Sequence, residues 1–366
     1  MTVFAVLGAI HILNFIVGYG PPLWDDYQFG YFSEWSKPGR EGDGLDKYPT
    51  DFTRDIQPIP CHSHNDYWRR IPLLEAIHYG CTGVEADVWL FDGDLFVGHN
   101  TASLSSNRTF RSMYVDPLVQ ILDRQNPKTD FATPDALHPA GVFDTDADQT
   151  LVLLVDFKNS GADIFPVVEA QIAALREKNY LTYFNGEETI SGPITVVATG
   201  NAPFNLITAN STYRDIFFDA PLDSMYEAPV NSPPSNSKRS SSLLSLFRRD
   251  PSPGQGHTGL DRDSEPFSPA NSYYASTNFR ASIGYLWRGY LSAAQMQKLR
   301  GQIQGAKKLG LHSRYWGAPE WPRRTRETVW RVLVEEGVGY LNVDDLKGVA
   351  RGGWRKGVGG EDGPWA

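Results

Sequence analysis

Residues 61–100 read CHSHNDYWRRIPLLEAIHYGCTGVEADVWLFDGDLFVGHN, and just beyond their apolar runs they carry His62 and His64, then a Glu85-x-Asp87 pair, then His99. Ile56 to Pro60 is a short extended run and Val84 to Trp89 a second. Leu73 to Gly80 between them is helical in composition and closed by a glycine. This is a β-α-β unit, whose strands run parallel and whose carboxyl ends meet on one face, where α/β folds carry their chemistry. The five residues are expected to converge there.

Working outward, Phe91 to Gly98 (FDGDLFVG) has an Asp-Gly turn between two apolar runs, so a hairpin returns His99 beside the carboxylates. Further on, Leu151 to Lys158 (LVLLVDFK) is apolar until Asp156 and Lys158, as expected of a parallel strand buried on both faces. Helical spacing at 114–123, 163–178, 293–308 and 324–336 alternates with strand-like runs at 194–199, 215–219, 310–315 and 339–343, with order resuming near 283–286. The alternation predicts one α/β domain, a distorted TIM-type (β/α)8 barrel over residues 55–350. Residues 229–271 interrupt it with Ser, Pro, Gly and charge, a composition read as a disordered insertion. Residues 351–366 read as a Gly-rich tail.

Upstream, residues 1–22 are apolar from Val3 to Val17 apart from His11 and Asn14 and are stopped by Pro21-Pro22. They are long for a signal core and short for a span, and signal peptide, membrane anchor and buried first helix are all readings of them. Residues 23–54 form an irregular lead-in. Asn107-Arg108-Thr109 and Asn210-Ser211-Thr212 are glycosylation sequons, in keeping with a secretory route. The 366 residues carry a net charge of -9, which argues against a broad basic face for nucleic acid. Cys61 and Cys81, the two cysteines, are expected at opposite ends of parallel strands and therefore unpaired.

Glu85 and Asp87 share one strand face, so both carboxylates can grip one hard cation, and Asp156 supplies a third oxygen from the next strand. An arginine-paired structural acid is the bland alternative. An all-oxygen set suits Mg²⁺ or Ca²⁺. Lys158 points to the same side as Asp156, toward a phosphate oxygen or a rim salt bridge. His62 and His99 on either side of the cation make an acid/base pair, with His64 an alternative to His62 or a hydrogen-bonding support. His11, His78, His138, His257 and His312 fall outside the constellation.

The series His62, Glu85-x-Asp87, His99, Asp156-x-Lys158, Trp316 and Asp344 resembles the PLC-like phosphodiesterase superfamily, which includes glycerophosphodiester phosphodiesterases and sphingomyelinase D toxins. PCHSHNDYWRR, GCTGVEADVW and VGH resemble the fungal altered inheritance of mitochondria protein six family. The resemblance runs from about Ile56 to Val349 and implies His62 and His99 as acid and base, and Glu85, Asp87 and Asp156 as Mg²⁺ or Ca²⁺ ligands. It implies substrate contacts by Asn65, Lys158, Trp316 and Asp344. His62-Ser-His64 stands where glycerophosphodiester phosphodiesterases have His-Arg-Gly, which leaves Arg69 or Arg70 to hold phosphate. The expected activity is metal-dependent cleavage of a glycerophosphodiester or (lyso)phospholipid headgroup at a membrane surface. A dinuclear hydrolase of the His-x-His type and a catalytically silent, membrane-tethered binding protein are the alternatives.

Overall fold

The computed structural model describes residues 6–12, 52–131, 133, 135, 137–227 and 267–352. Two units divide between Phe52 and Thr53. Of the first, residues 6–12 are helical, and Val6, Leu7, Ile10 and Ile12 are each more than half exposed. Among the described residues no helix is long and apolar enough to cross a membrane. The lead-in, the tail beyond Gly352 and residues 228–266 of the insertion lie outside the described residues.

The second unit is a nearly closed barrel of parallel strands. Its strands are β1 (Ile59–Ser63), β2 (Cys81–Phe91), β4 (Leu151–Phe157), β7 (Ile194–Gly200), β8 (Ile216–Pro221), β9 (Ser272–Asn278), β10 (His312–Trp316) and β11 (Leu341–Val343). Around the barrel they run β10-β9-β8-β7-β4-β2-β1-β11, and a parallel bridge between Arg314 and Tyr340 draws the two ends together. The short β3 (Asp94–Val97) folds back antiparallel on β2, as its Asp-Gly turn requires, and β5 (Tyr183–Phe184) pairs with β6 (Thr189–Ile190) as a separate small hairpin. Every residue of β4 and β7 is buried, because the barrel interior covers one face and outer helices the other. The helices outside include α1 (Leu74–His78), α2 (Asp116–Gln125), α3 (Gly161–Gln171), α4 (Ala293–Lys308) and α5 (Arg323–Glu335).

Two expectations are corrected here. Residues 272–278, SYYASTN, form the barrel strand β9, whereas the sequence pattern passes over them. Their polar side chains point inward, where Ser276 accepts a hydrogen bond from Arg314, so no hydrophobic alternation betrays the strand. The insertion accordingly ends earlier than expected: Phe267 is buried and stacks on Phe218.

The cysteines are bonded to each other, with Cα atoms 4.7 Å apart. Cys61 is the middle of β1 rather than its end, β2 begins at Cys81 itself, and the parallel register sets Ile59 beside Cys81 with an irregularity before His62. The two thiols therefore meet across neighbouring strands near their amino ends. The bond closes a loop across 20 residues, for which the chain-entropy model gives about 3 kcal/mol. Replacing both cysteines by serine, or adding a reductant, is expected to lower the unfolding free energy by about that amount in guanidinium titrations.

Candidate metal centre and active site

β2 presents Glu85 and Asp87 on its inner face, and β4 sets Asp156 directly beside Asp87 in the parallel register. One oxygen of each of these three carboxylates lies within 4.8 Å of the other two, and all three residues are buried. Two glycines make the room. A Cβ at Gly83 would stand 2.6 Å from His62 Nδ1, and Gly200, at φ +69°, passes so close to Asp156 that a side chain there would collide with its Oδ1.

Burying this much like charge is costly unless it is offset. Lys158 Nζ lies 2.6 Å from Asp156 Oδ2 and 2.9 Å from Asp87 Oδ2. From β10, Arg314 enters the interior only 2% exposed; it donates to Ser276 Oγ at 3.0 Å, to Asn342 Oδ1 at 2.9 Å and to Asp219 Oδ2 at 3.3 Å, and comes within 4.0 Å of Glu85 Oε2. The arginine foreseen as the bland partner of Glu85 thus exists, but its hydrogen bonds go elsewhere. Four linked carboxylates, Glu85, Asp87, Asp156 and Asp219, face Lys158 and Arg314, an acidic excess that a metal ion could relieve. Asp87 Oδ1 and Asp156 Oδ1 are buried without a hydrogen-bond partner, as is Asp219 Oδ1, and the first two belong to the group that could hold a metal ion.

The electrostatics agree. Burial, reinforced by the charges of Asp156 and Glu85, pushes the Asp87 carboxyl up to about 8. Asp156 is raised as well, first by burial. Burial would also raise Glu85, but its hydrogen bond to His62 and the charges of His64 and Arg314 hold it well below the usual carboxylate range. Two close acids that resist ionising together form a site a cation relieves.

The three histidines differ. His62 has no exposed surface; its Nε2 is 3.5 Å from Glu85 and its Nδ1 3.3 Å from the Tyr274 hydroxyl, and burial followed by the Arg314 charge lowers it to about 4. His64 is partly exposed and its Nδ1 lies 3.1 Å from Asp344 Oδ1. Burial opposes its protonation, but the Asp344 hydrogen bond and the Glu85 charge raise it above the usual value. His99, about half exposed, is lowered by burial and then by the Lys158 and His64 charges. His64 and His99 therefore stand at the mouth with opposite tendencies, while His62 supports Glu85 from beneath.

Of the remaining expected contacts, Asn65 gives its backbone N–H to Glu85 Oε2 at 3.3 Å. Trp316 ends β10 at the rim, partly buried. Arg69 donates to Ser63 Oγ, to the His64 and Val343 carbonyls and to the Asp344 carbonyl, so it ties the exits of β1 and β11 together.

Sequence reasoning missed Tyr67, Tyr274, Asp219 and Arg314. An arginine inside the strand LHSRYW was the legible signal for the last. Tyr67 lies within the DYW that follows Asn65, and its buried hydroxyl is 2.7 Å from Asp87 Oδ2, 2.6 Å from Asn65 Oδ1 and 3.1 Å from His99 Nδ1. With its single proton donated to Asn65 Oδ1 or Asp87 Oδ2, the hydroxyl is left to accept from His99 Nδ1–H, the tautomer whose lone pair is on Nε2.

An altered inheritance of mitochondria protein 6 homolog of Arthroderma benhamiae is 36% identical over 310 residues, covering 82% of this chain and 85% of that protein. The chain belongs to the altered inheritance of mitochondria protein 6 family. The Eremothecium gossypii member is 32% identical, covering 82% of this chain and 71% of its own. The Saccharomyces cerevisiae member is 33% identical, covering 80% and 70%. Residues 50–219 match an AIM6-like phosphodiesterase domain, so in this family member the matched segment spans Glu85, Asp87, His99, Asp156 and Lys158. No solved structure matches the chain.

Two measurements bear on the site. Mg²⁺ or Ca²⁺ is expected to raise the thermal midpoint of the wild-type protein and leave that of Asp87→Asn unmoved. Tyr67→Phe removes only a hydroxyl; divalent-cation affinity by calorimetry is expected to fall about tenfold, and the ¹⁵N signal of His99 to lose its fixed Nδ1–H tautomer. Unchanged values for both would take Tyr67 out of the site.

Proposed function

We propose that this protein is a metal-dependent phosphoric diester hydrolase, of the phospholipase-like kind, that acts on a glycerophosphodiester or (lyso)phospholipid headgroup. The observation that carries this reading is the pairing of an all-carboxylate cluster, two of whose buried oxygens lack partners, with two accessible histidines of opposite tendency beside it.

Glu85, Asp87 and Asp156 would hold Mg²⁺ or Ca²⁺, which when bound supplies positive charge to a phosphodiester oxygen. An oxygen-only donor set favours these hard cations over the zinc of a His-x-His hydrolase. His99, with Nε2 free and its protonation disfavoured, takes the proton of the attacking hydroxyl, from water or from the substrate itself. His64, held by Asp344 and readily protonated, gives a proton to the leaving alkoxide. Between His62 and His64, exposure favours His64 for that role and leaves His62 to position Glu85. Lys158 neutralises a phosphate oxygen, a task the donors of Arg69 are too committed to share. Asn65, Trp316 and Asp344 line the approach.

The buried disulfide supports a secretory route, since such bonds persist in oxidising compartments, and the sequon asparagines Asn107 and Asn210 are exposed. A nucleic-acid substrate is disfavoured by the net charge of -9.

The test is turnover of a panel of glycerophosphodiesters and lysophospholipids with Mg²⁺ or EDTA. Turnover that depends on the metal and drops by roughly 10²- to 10⁴-fold in both His64→Ala and His99→Ala supports the reading. Product phosphorus spectra separate hydrolysis from internal attack, which yields a cyclic phosphate. A folded protein that binds Mg²⁺ but cleaves nothing on the panel would favour a binding role instead.

A further inference from the structure

We infer that the loops after β9 and β10 form an aromatic and cationic collar by which the barrel docks on an anionic phospholipid bilayer, with its metal centre facing the lipid. The inference extends the phospholipid reading of that site. β9 ends at Asn278 and β10 at Trp316, so both loops leave the carboxyl ends of parallel strands, the same end that carries Glu85, Asp87 and Asp156.

These loops expose Tyr285 by 77%, Trp287 by 76%, Trp321 by 63% and Tyr290 by 58%, and Trp68, whose ring lies 4.9 Å from that of His99, adds a fifth exposed aromatic at the mouth. Side chains of this size left in water as a group mark an interaction surface. Phe131, the other highly exposed aromatic of the described barrel residues, lies in the segment that leads to the amino end of β4, on the opposite side.

A closed turn carries part of the collar. Trp287-Arg288-Gly289-Tyr290 closes on itself, with Trp287 and Tyr290 bridged and the Tyr290 N–H donating to the Trp287 carbonyl at 3.2 Å. Arg288 at φ +55° and Gly289 at φ +80° give the left-handed pair of a tight hairpin turn. A non-glycine residue kept in that region costs energy, yet here it sets an arginine in the turn that joins Trp287 to Tyr290. Beneath the turn, a cavity of about 640 Å³ lined by Phe279, Leu286, Pro319 and Trp321 gives the patch depth.

Composition selects the occupant. Tryptophan and tyrosine sit at the water–lipid boundary because each pairs an apolar body with a polar edge, and arginine reaches from there to lipid phosphates. Residues 279–292 and 316–325 contain Arg280, Arg288, Arg323 and Arg324 against Glu320, and with Arg323 paired to Glu327 three arginines remain against one acid, in a chain whose net charge is -9. That local reversal of charge fits an anionic headgroup layer. A second copy of the chain on this face would cover the mouth of the proposed active site, whereas a bilayer brings substrate to it.

The experiment is co-sedimentation of the full chain with vesicles of phosphatidylcholine alone or with about one third phosphatidylserine. Comparison proteins are Trp287→Ser/Tyr290→Ser, Arg288→Gly and Leu7→Asn/Ile10→Asn, the last removing the exposed apolar face of the helix at residues 6–12. The double collar variant is expected to keep the wild-type thermal midpoint and to bind roughly tenfold more weakly. Arg288→Gly, which suits the left-handed position, is expected to weaken binding to the phosphatidylserine vesicles only. Collar variants that bind like wild type, binding lost only with Leu7→Asn/Ile10→Asn, or a dimer in vesicle-free light scattering that Trp287→Ser/Tyr290→Ser dissolves would each overturn the inference. Binding is read in EDTA as well as Mg²⁺, so that a collar that docks without any turnover separates this inference from the catalytic reading.

Discussion

Three carboxylates within 4.8 Å of one another, inside a barrel and out of water, are the constraint on which the structure depends. Like charges so placed repel, and their desolvation adds to the cost. Lys158 and Arg314 relieve part of it from opposite sides, Lys158 from the exit of β4 and Arg314 from across the barrel on β10. What remains is an acidic excess and, on Asp87 and on Asp156, one buried carboxylate oxygen with no hydrogen-bond partner. An acidic cluster so placed in a barrel, with His64, His99 and Lys158 around it, could hold a metal ion.

The scaffold follows from that requirement. Asp87 and Asp156 are register partners, so the separation of the acids is set by the hydrogen-bond ladder between β2 and β4 and not by flexible side chains. Gly83 and Gly200 remove the side chains that would push His62 and Asp156 aside. The disulfide fixes β1 against β2 immediately before His62 and four residues before Glu85, and Arg69 fixes the exits of β1 and β11, between which His64 meets Asp344. Each restraint acts on a strand that carries a site residue, which is how a rigid sheet lends precision to the loops at its carboxyl end.

Much of this was legible in the chain. The apolar run ending in Asp156-Phe-Lys158 announces a buried parallel strand with charge at its exit, and the two-residue spacing of Glu85 and Asp87 announces a shared face. The Asp92-Gly93 turn announces the return of His99. β9 was illegible because its inward face is polar, and hydrophobic periodicity has no purchase on SYYASTN. The cysteine pairing was misjudged because it hangs on the exact residue at which β1 and β2 begin, and boundaries are what local sequence specifies least.

By itself, then, the sequence determined the alternation of strands and helices apart from β9, the acids and histidines that end those strands, and the all-oxygen make-up of the acidic set, because these depend on residue type and on spacing within one element. Only the tertiary structure decided which histidines reach the mouth, that Arg314 and Asp219 share the interior with the acids, and that Tyr67 joins Asp87 to His99. It alone decided that Cys61 meets Cys81 and that the aromatics of two distant loops gather beside the site. Those relations join residues up to 280 positions apart, as His64 and Asp344 are, and they exist only when barrel closure and strand register bring the segments together.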